Sequence, residues 1–123
     1  MFRLKRKYEF HAARKLTALR DNHPCGELHG HTFRVTIQVS GKELTDEGWI
    51  VDFYYIDSLY KENVHKYLDH KYLNDIDGLS NPTTEHIAMW IWDKLEKDLK
   101  GLSSVSVSEG DSYGCKYYGA KNA

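Results

Sequence analysis

The stretch HTFRVTIQVSG, residues 31–41, alternates apolar and polar side chains strictly from Phe33 to Ser40. Its apolar members, Phe33, Val35, Ile37 and Val39, fall on one side of an extended chain, and its polar members fall on the other. Such a pattern is typical of an antiparallel strand with one face in a core and one face open. The fold must therefore supply elements that cover one face of this strand.

Other segments carry secondary-structure signals of the same kind. Loose alternation indicates strands, apolar residues at helical spacing indicate helices, and Thr, Gly and Pro mark the boundaries. The predicted elements are a strand at 3–13, the strand at 31–41, a short extended piece at 50–53, a helix at 54–68, a helix capped by Thr83 or Thr84 and ended by Gly101, and two strands, SSVSVSEG and CKYYGA, joined at DSYG.

The order strand, strand, helix, helix, strand, strand defines the fold class. Strands and helices that do not alternate predict an α+β domain, with two helices on one face of a four-stranded antiparallel sheet. No repeat or low-complexity linker divides the chain, so residues 1–123 are predicted to form one domain. The uncovered sheet face predicts a homo-oligomer.

Composition excludes several classes of function. The net charge is −1, from 17 Lys and Arg against 18 Asp and Glu, and the signs are interspersed, so a nucleic-acid partner is not expected. No signal peptide and no membrane-spanning apolar stretch is recognisable, which predicts a cytoplasmic protein without a membrane partner. In a reducing cytosol the two cysteines, Cys25 and Cys115, are expected to be free thiols.

The stretch CGELHGHTF, residues 25–33, suggests a metal site. Alternation places His29 and His31 on one strand face, so that two imidazoles can converge on one ion, and Gly30 permits close backbone approach. Catalytic zinc sites use three protein ligands and keep one position open. The alternative is that two histidines flank a glycine by chance where a strand begins.

Three more residues or pairs could carry chemistry. Cys25 lies in a polar turn, where a thiolate could act as a base, or it is an inert small hydrophobe. Asp69 directly precedes His70 at a helix end, where a carboxylate could orient the imidazole or simply cap the helix. Glu109 ends a predicted strand, where it could grip a guanidine-like ligand edge or stay solvated.

The combination of CGELHGHTF, GWIVDF, LDHKYLND, NPTTEHIAMWIWDKL and VSEG resembles the 6-pyruvoyl-tetrahydropterin synthase family, and within it the bacterial 6-carboxy-tetrahydropterin synthases of queuosine and 7-deazapurine biosynthesis. The resemblance implies the tunnelling fold, with subunits joined into barrels as a homohexamer of stacked trimers. It implies a lyase that converts 7,8-dihydroneopterin triphosphate to 6-carboxy-tetrahydropterin with loss of triphosphate and acetaldehyde. A related dihydropterin aldolase and a non-catalytic pterin-binding module are the alternatives.

The resemblance also implies roles for individual residues, in pockets between subunits. The implied roles are a general base for Cys25, a proton relay for Asp69 and His70, two of three zinc ligands for His29 and His31, and pterin binding for Glu109 together with Thr83 and Thr84.

The chain departs from the family at the position of the first zinc ligand. The family's motif Phe-x-Ala-Ala-His is FHAAR here, so that position is Arg14, which has no lone pair to donate. Three hypotheses remain open. His11 or His23 could rebuild the site, two histidines could bind metal weakly, or Arg14 could replace the metal by stabilising an oxyanion or gripping the triphosphate. By strand parity, His11 should point away from the other two histidines.

Overall fold

The chain folds around one antiparallel sheet with strand order β1-β2-β3-β4. The computed structural model describes residues 1–20 and 22–120, and the side chain of Cys25 lies outside that description. The strands are β1 at Phe2–Arg14, β2 at His29–Gly41, β3 at Leu102–Glu109 and β4 at Tyr113–Tyr117. The predicted four-stranded antiparallel sheet is confirmed, and β2 begins two residues earlier than the alternation indicated.

The predicted core face of β2 is confirmed. Phe33, Val35, Ile37 and Val39 are all 0% exposed. The helices cover this face, and the contact between the two layers includes a stacked pair of rings, Tyr8 of β1 and Tyr60, with centroids 3.8 Å apart. The opposite sheet face carries polar side chains, as the alternation required.

The two predicted helical segments are present with adjusted ends. The first consists of α1 at Phe53–Tyr60, a π-helical turn at Lys61–His65 and α2 at Lys66–Leu68, and the second is α3 at Thr84–Leu95. Thr83 is the N-cap of α3, and its hydroxyl oxygen accepts a hydrogen bond from the His86 N–H at 3.1 Å. The ββααββ order is therefore confirmed.

Two boundary predictions are wrong. The extended piece expected at 50–53 is absent, because Asp52 is the N-cap of α1 and accepts a hydrogen bond from Tyr54 N at 2.9 Å. The second helix ends at Leu95 rather than at Gly101. Gly101 has φ 86°, and a Cβ there would lie 2.7 Å from the backbone oxygen of Ser40. It therefore serves the close approach of the chain to β2 as β3 begins, and does not end a helix.

In the described residues, no helix has the length and apolar character needed to cross a membrane.

Candidate active site

Three strand ends meet at one end of the sheet and bring the candidate residues together. The register pairs Arg14, the last residue of β1, with His29, the first of β2, and pairs Ala12 with His31. It also pairs Phe33 of β2 with Glu109, the last residue of β3. Because neighbouring strands run antiparallel, residues far apart in sequence thus share this edge.

His29 and His31 lie on the same face, as alternation predicted. Their rings meet edge to face with centroids 4.6 Å apart. His29 Nδ1 lies 2.6 Å from the carbonyl oxygen of Glu27, which can only accept a hydrogen bond. Nδ1 therefore carries the proton, and the Nε2 lone pair of His29 is left for another partner.

Arg14 and Glu109 form a buried ion pair beside these histidines. The Arg14 side chain is 4% exposed and that of Glu109 17% exposed, and Nη2 of the guanidinium contacts Oε1 of the carboxylate. Nη1 donates a hydrogen bond to the carbonyl oxygen of Pro82 at 3.0 Å, and the guanidinium lies over the Phe33 ring, 5.0 Å from its centroid. Arg14 thus reaches from β1 across β2 to the end of β3.

His31 borders this ion pair. Its Nε2 lies 3.6 Å from Oε1 of Glu109. Desolvation lowers the pKa of His31 below its ordinary value, the positive charge of Arg14 lowers it further, and protonation of His29 would add to this effect. The ring is therefore neutral at pH 7, and its contact with Glu109 is not an ion pair of two charged groups.

The Asp69–His70 pair is held against the outer edge of β1. The N–H of His70 donates to the carbonyl oxygen of His11 at 2.6 Å, and the N–H of Ala13 donates to the carbonyl oxygen of Lys71 at 3.0 Å. His70 has φ 59°, a left-handed conformation that non-glycine residues rarely adopt. The sheet edge therefore determines where the imidazole lies.

The carboxylate of Asp69 fixes the tautomer of His70. Asp69 Oδ2 lies 2.7 Å from His70 Nδ1, and Oδ1 accepts a hydrogen bond from His11 N at 2.9 Å. Desolvation alone would raise the pKa of Asp69, but the hydrogen bonds from His11 N and His70 outweigh it and leave this pKa below its ordinary value. An ionised carboxylate only accepts hydrogen bonds, so His70 carries its proton on Nδ1 and presents a basic Nε2.

Two open cavities share one wall, formed by Gly30, His31 and Thr32. The first, which we call the His70 cavity, has a volume of about 660 Å³ and is lined in addition by His11, Ala12, Ala13, His70, Lys71 and Tyr72. The second, which we call the Arg14 cavity, has a volume of about 640 Å³ and is lined in addition by Arg14, Glu109, Gly110 and Tyr113. Both volumes are in the range of small-molecule sites.

The remaining predicted residues lie around these cavities or outside the description. Cys25 belongs to a short 3₁₀ turn, Pro24–Gly26, and its side chain, to which the role of base was assigned, lies outside the described structure. The Thr83 hydroxyl caps α3, and Thr84 donates to Glu85 at 2.9 Å. In the described structure neither threonine lines either cavity, so their role in ligand binding stays a prediction.

The donor set does not match a three-ligand zinc site. Among the described side chains, which exclude that of Cys25, no group of three His, Cys, Asp or Glu residues is placed to hold a metal ion. The parity prediction for His11 is confirmed, because its Nδ1 lies 3.0 Å from Thr32 Oγ1, on the sheet face opposite to His29 and His31. Arg14 occupies the position at which the resemblance implies the first zinc ligand.

Sequence reasoning missed the Arg14–Glu109 pair and the backbone contacts between β1 and residues 70–71. A signal for the first existed, because Phe10, Ala12 and Arg14 share strand parity, which places Arg14 on the apolar face where a charge needs a partner. No signal in the sequence named Glu109 as that partner, since the contact spans three strands.

Comparison with known proteins supports the assignment of the fold and the family. The chain is 35% identical over 123 residues to a 6-carboxy-5,6,7,8-tetrahydropterin synthase of Synechocystis, an alignment that covers 96% of this chain and 94% of that protein. It is 41% identical over 91 residues to a dihydroneopterin monophosphate aldolase of Pyrococcus furiosus, covering 72% and 75% of the two chains.

A solved structure shows the same fold. The 6-pyruvoyl tetrahydropterin synthase of Caenorhabditis elegans superposes with a TM-score of 0.88 at 21% identity, over 97% of this chain and 96% of that one. The predicted tunnelling fold of the subunit is thereby confirmed. The family model for 6-pyruvoyl tetrahydropterin synthase matches residues 3–120. On the strand order, the arrangement of the strand ends and these matches, the chain belongs to the 6-pyruvoyl tetrahydropterin synthase family.

Proposed function

We propose that this protein is a lyase that converts 7,8-dihydroneopterin triphosphate and water to 6-carboxy-tetrahydropterin, triphosphate and acetaldehyde, in queuosine or 7-deazapurine biosynthesis. The observation that carries the proposal is the shared wall at His31, which joins a cavity containing His70 to one containing Glu109. A ligand that spans this wall would place its ring system near Glu109 and its side chain near His70. The full-length similarity to the Synechocystis synthase supports this choice of reaction.

Proton transfer would be the work of Cys25 and the Asp69–His70 pair. Asp69 keeps His70 in the tautomer with a free Nε2, so the imidazole can take a proton from a substrate hydroxyl and return it later. When His70 becomes an imidazolium, the adjacent carboxylate stabilises its charge. Cys25 would remove the carbon-bound proton of the substrate side chain, which requires the thiolate.

In this proposal, the pterin binds in the Arg14 cavity. A carboxylate at Glu109 can accept hydrogen bonds from the 2-amino group and the adjacent ring N–H of a pterin. Tyr113 lines the same cavity with 72% of its surface exposed, so its ring offers a flat apolar surface to a bicyclic ligand. Thr83 and Thr84 are proposed to assist from a neighbouring part of the assembled pocket.

Zinc is not used in any step of this proposal. The resemblance implies it, and His29 presents a free Nε2 that suits a metal, but the described donors supply two imidazoles and a guanidinium where zinc needs a third lone pair. Zinc binding by His29 and His31 therefore stays a prediction, and the metal content of the purified protein tests it.

The proposed assembly is a homohexamer of two stacked trimers in the cytoplasm. Within the described sheet, β1 pairs along its length only with β2, and β4 pairs only with β3. The edge of β4 and the edge of β1 before its contacts at His11 and Ala13 could pair with the sheets of other subunits to form a barrel, which would satisfy their exposed backbone N–H and C=O groups. Native mass spectrometry of the purified protein would give the subunit number.

Turnover of 7,8-dihydroneopterin triphosphate, followed by liquid chromatography with mass spectrometry, tests the proposed reaction. Wild type should form 6-carboxy-tetrahydropterin. Cys25→Ala should lower kcat by about 10²–10⁴-fold, the range typical of a lost general base. Cys115→Ala is the matched control, because Cys115 is the half-buried thiol of β4 and lines neither cavity, so its loss should lower turnover far less than the loss of Cys25. Ligand binding without any turnover by wild type would instead indicate a non-catalytic pterin-binding module.

A second reaction is favoured by the similarity to the Pyrococcus furiosus aldolase. In that case the chain would break a carbon–carbon bond in the side chain of a dihydroneopterin phosphate, giving 6-hydroxymethyl-dihydropterin and a phosphorylated glycolaldehyde. Incubation with the monophosphate and the triphosphate in parallel separates the two hypotheses. A hydroxymethyl product from either substrate, with no 6-carboxy product, would replace the first assignment with the aldolase.

A further inference from the structure

Arg14 lies beside His29 and His31, the two residues that the resemblance implies as zinc ligands. We propose that the Arg14 guanidinium replaces a metal ion as the fixed positive charge of the site, so that the wild-type protein holds no zinc at His29 and His31. The proposal concerns metal content and holds whichever reaction the enzyme carries out.

The first support is position. The register pairs Arg14 directly with His29 and pairs Ala12 with His31, so Arg14 belongs to the same strand face as both imidazoles. Directly opposed Cβ atoms in an antiparallel pair are about 4.5–5.5 Å apart. A histidine at position 14 could therefore aim its ring at the ion that His29 and His31 would share. The arginine instead places a permanent cation there.

The second support is how firmly the guanidinium is held. It is paired with Glu109, hydrogen-bonded to the carbonyl oxygen of Pro82 and stacked on Phe33, and the side chain is 4% exposed. These contacts lie on different parts of the group, so it cannot swing into solvent to make room for an ion. A dication at His29 and His31 would lie beside this guanidinium, and Glu109, which already balances the charge of Arg14, could not also offset the charge of the ion, so its binding is disfavoured.

The third support is what the guanidinium can do for a ligand. Arg14 lines the Arg14 cavity next to His31 and Glu109. A guanidinium carries five N–H donors in a planar fork, which suits an enolate oxygen or a phosphate oxygen. Preorganised positive charge at a developing oxyanion is a contribution that a bound metal also makes. Arg14 can therefore supply the electrostatic part of the metal's work without a metal.

Zinc content and zinc affinity test this proposal. Untagged wild type, His29→Ala, Arg14→Gln and Arg14→His are purified, metal is measured by inductively coupled plasma mass spectrometry, and zinc is titrated against a fluorescent chelator. Wild type, His29→Ala and Arg14→Gln should all stay well below one zinc per chain. Arg14→His completes a three-histidine set and should bind about one zinc per chain, at least about 100-fold more tightly than wild type. Adding His29→Ala to Arg14→His should abolish the gain.

Each outcome of the zinc measurements either supports or overturns the proposal. About one zinc per wild-type chain that is lost in His29→Ala would overturn the proposal, since the site would then bind metal despite Arg14. A folded Arg14→His protein, verified by circular dichroism, that gains no zinc would also overturn it, because position 14 would not face the two imidazoles. If Arg14→His does not fold, equal zinc content in wild type and His29→Ala supports the proposal.

Discussion

Replacing Glu109 by Gln removes the charge partner of Arg14 and preserves the shape of the side chain. Breaking a buried ion pair from one side costs about 3–5 kcal/mol, because the other charge is left without a partner. Glu109 keeps 17% exposure, so water compensates for part of the loss. We therefore expect Glu109→Gln to lower the free energy of unfolding by about 2–4 kcal/mol.

A double-mutant cycle isolates the pair from its surroundings. Arg14→Met leaves the carboxylate unpaired and should cost a similar amount, whereas Arg14→Met with Glu109→Gln buries no charge. The double variant should therefore be more stable than the sum of the single losses predicts, by about 2 kcal/mol. The hydrogen bond to Pro82 is lost in both variants that lack Arg14, so it does not contribute to the coupling.

Urea unfolding followed by circular dichroism provides the measurement. With an m-value of about 1.5 kcal/mol/M, a loss of about 3 kcal/mol lowers the midpoint by about 2 M. All variants must be compared at one protomer concentration, because the stability of an oligomer depends on it. Additive effects, with a coupling below about 0.5 kcal/mol, would refute the argument that the two charges depend on each other.

Two further perturbations test the fold. Gly101→Ala should lower the free energy of unfolding by about 2–4 kcal/mol, because its φ is 86° and a Cβ would lie 2.7 Å from Ser40 O. Gly48→Ala is the control: its φ is 93° but no atom lies within 4 Å of the added Cβ, so the loss in the same urea assay should be only about 1 kcal/mol. Asp57→Asn tests linkage to pH: the hydrogen bond from Arg6 lowers the pKa of Asp57, so wild type should exceed the variant in stability at pH 7 and lose that advantage as the pH falls below the ordinary value of 3.8. A difference that persists unchanged at pH 2 would contradict this account.

The fold could be predicted from local patterns because the sheet and helices obey them. Alternation in β2 identified its buried face correctly, and the pair Thr83–Thr84 marked the start of α3, where the structure assigns the cap to Thr83. The misplaced helix end at Gly101 shows where local reasoning stops. A glycine after a helical pattern resembles a C-cap, but this one is required by a backbone oxygen of β2 that is distant in sequence.

For the candidate site, the sequence alone indicated which residues could carry chemistry and that Arg14 stands where the resemblance implies a histidine. Side-chain type and strand parity sufficed, because both are local properties of the chain. Only the tertiary structure decided that Arg14 is neutralised by Glu109 and that residues 70–71 lie along β1. These contacts depend on the register of the whole sheet, which brings the strand ends together. A charged side chain on an apolar face indicates that it needs a partner, but the sequence does not indicate which residue that partner is.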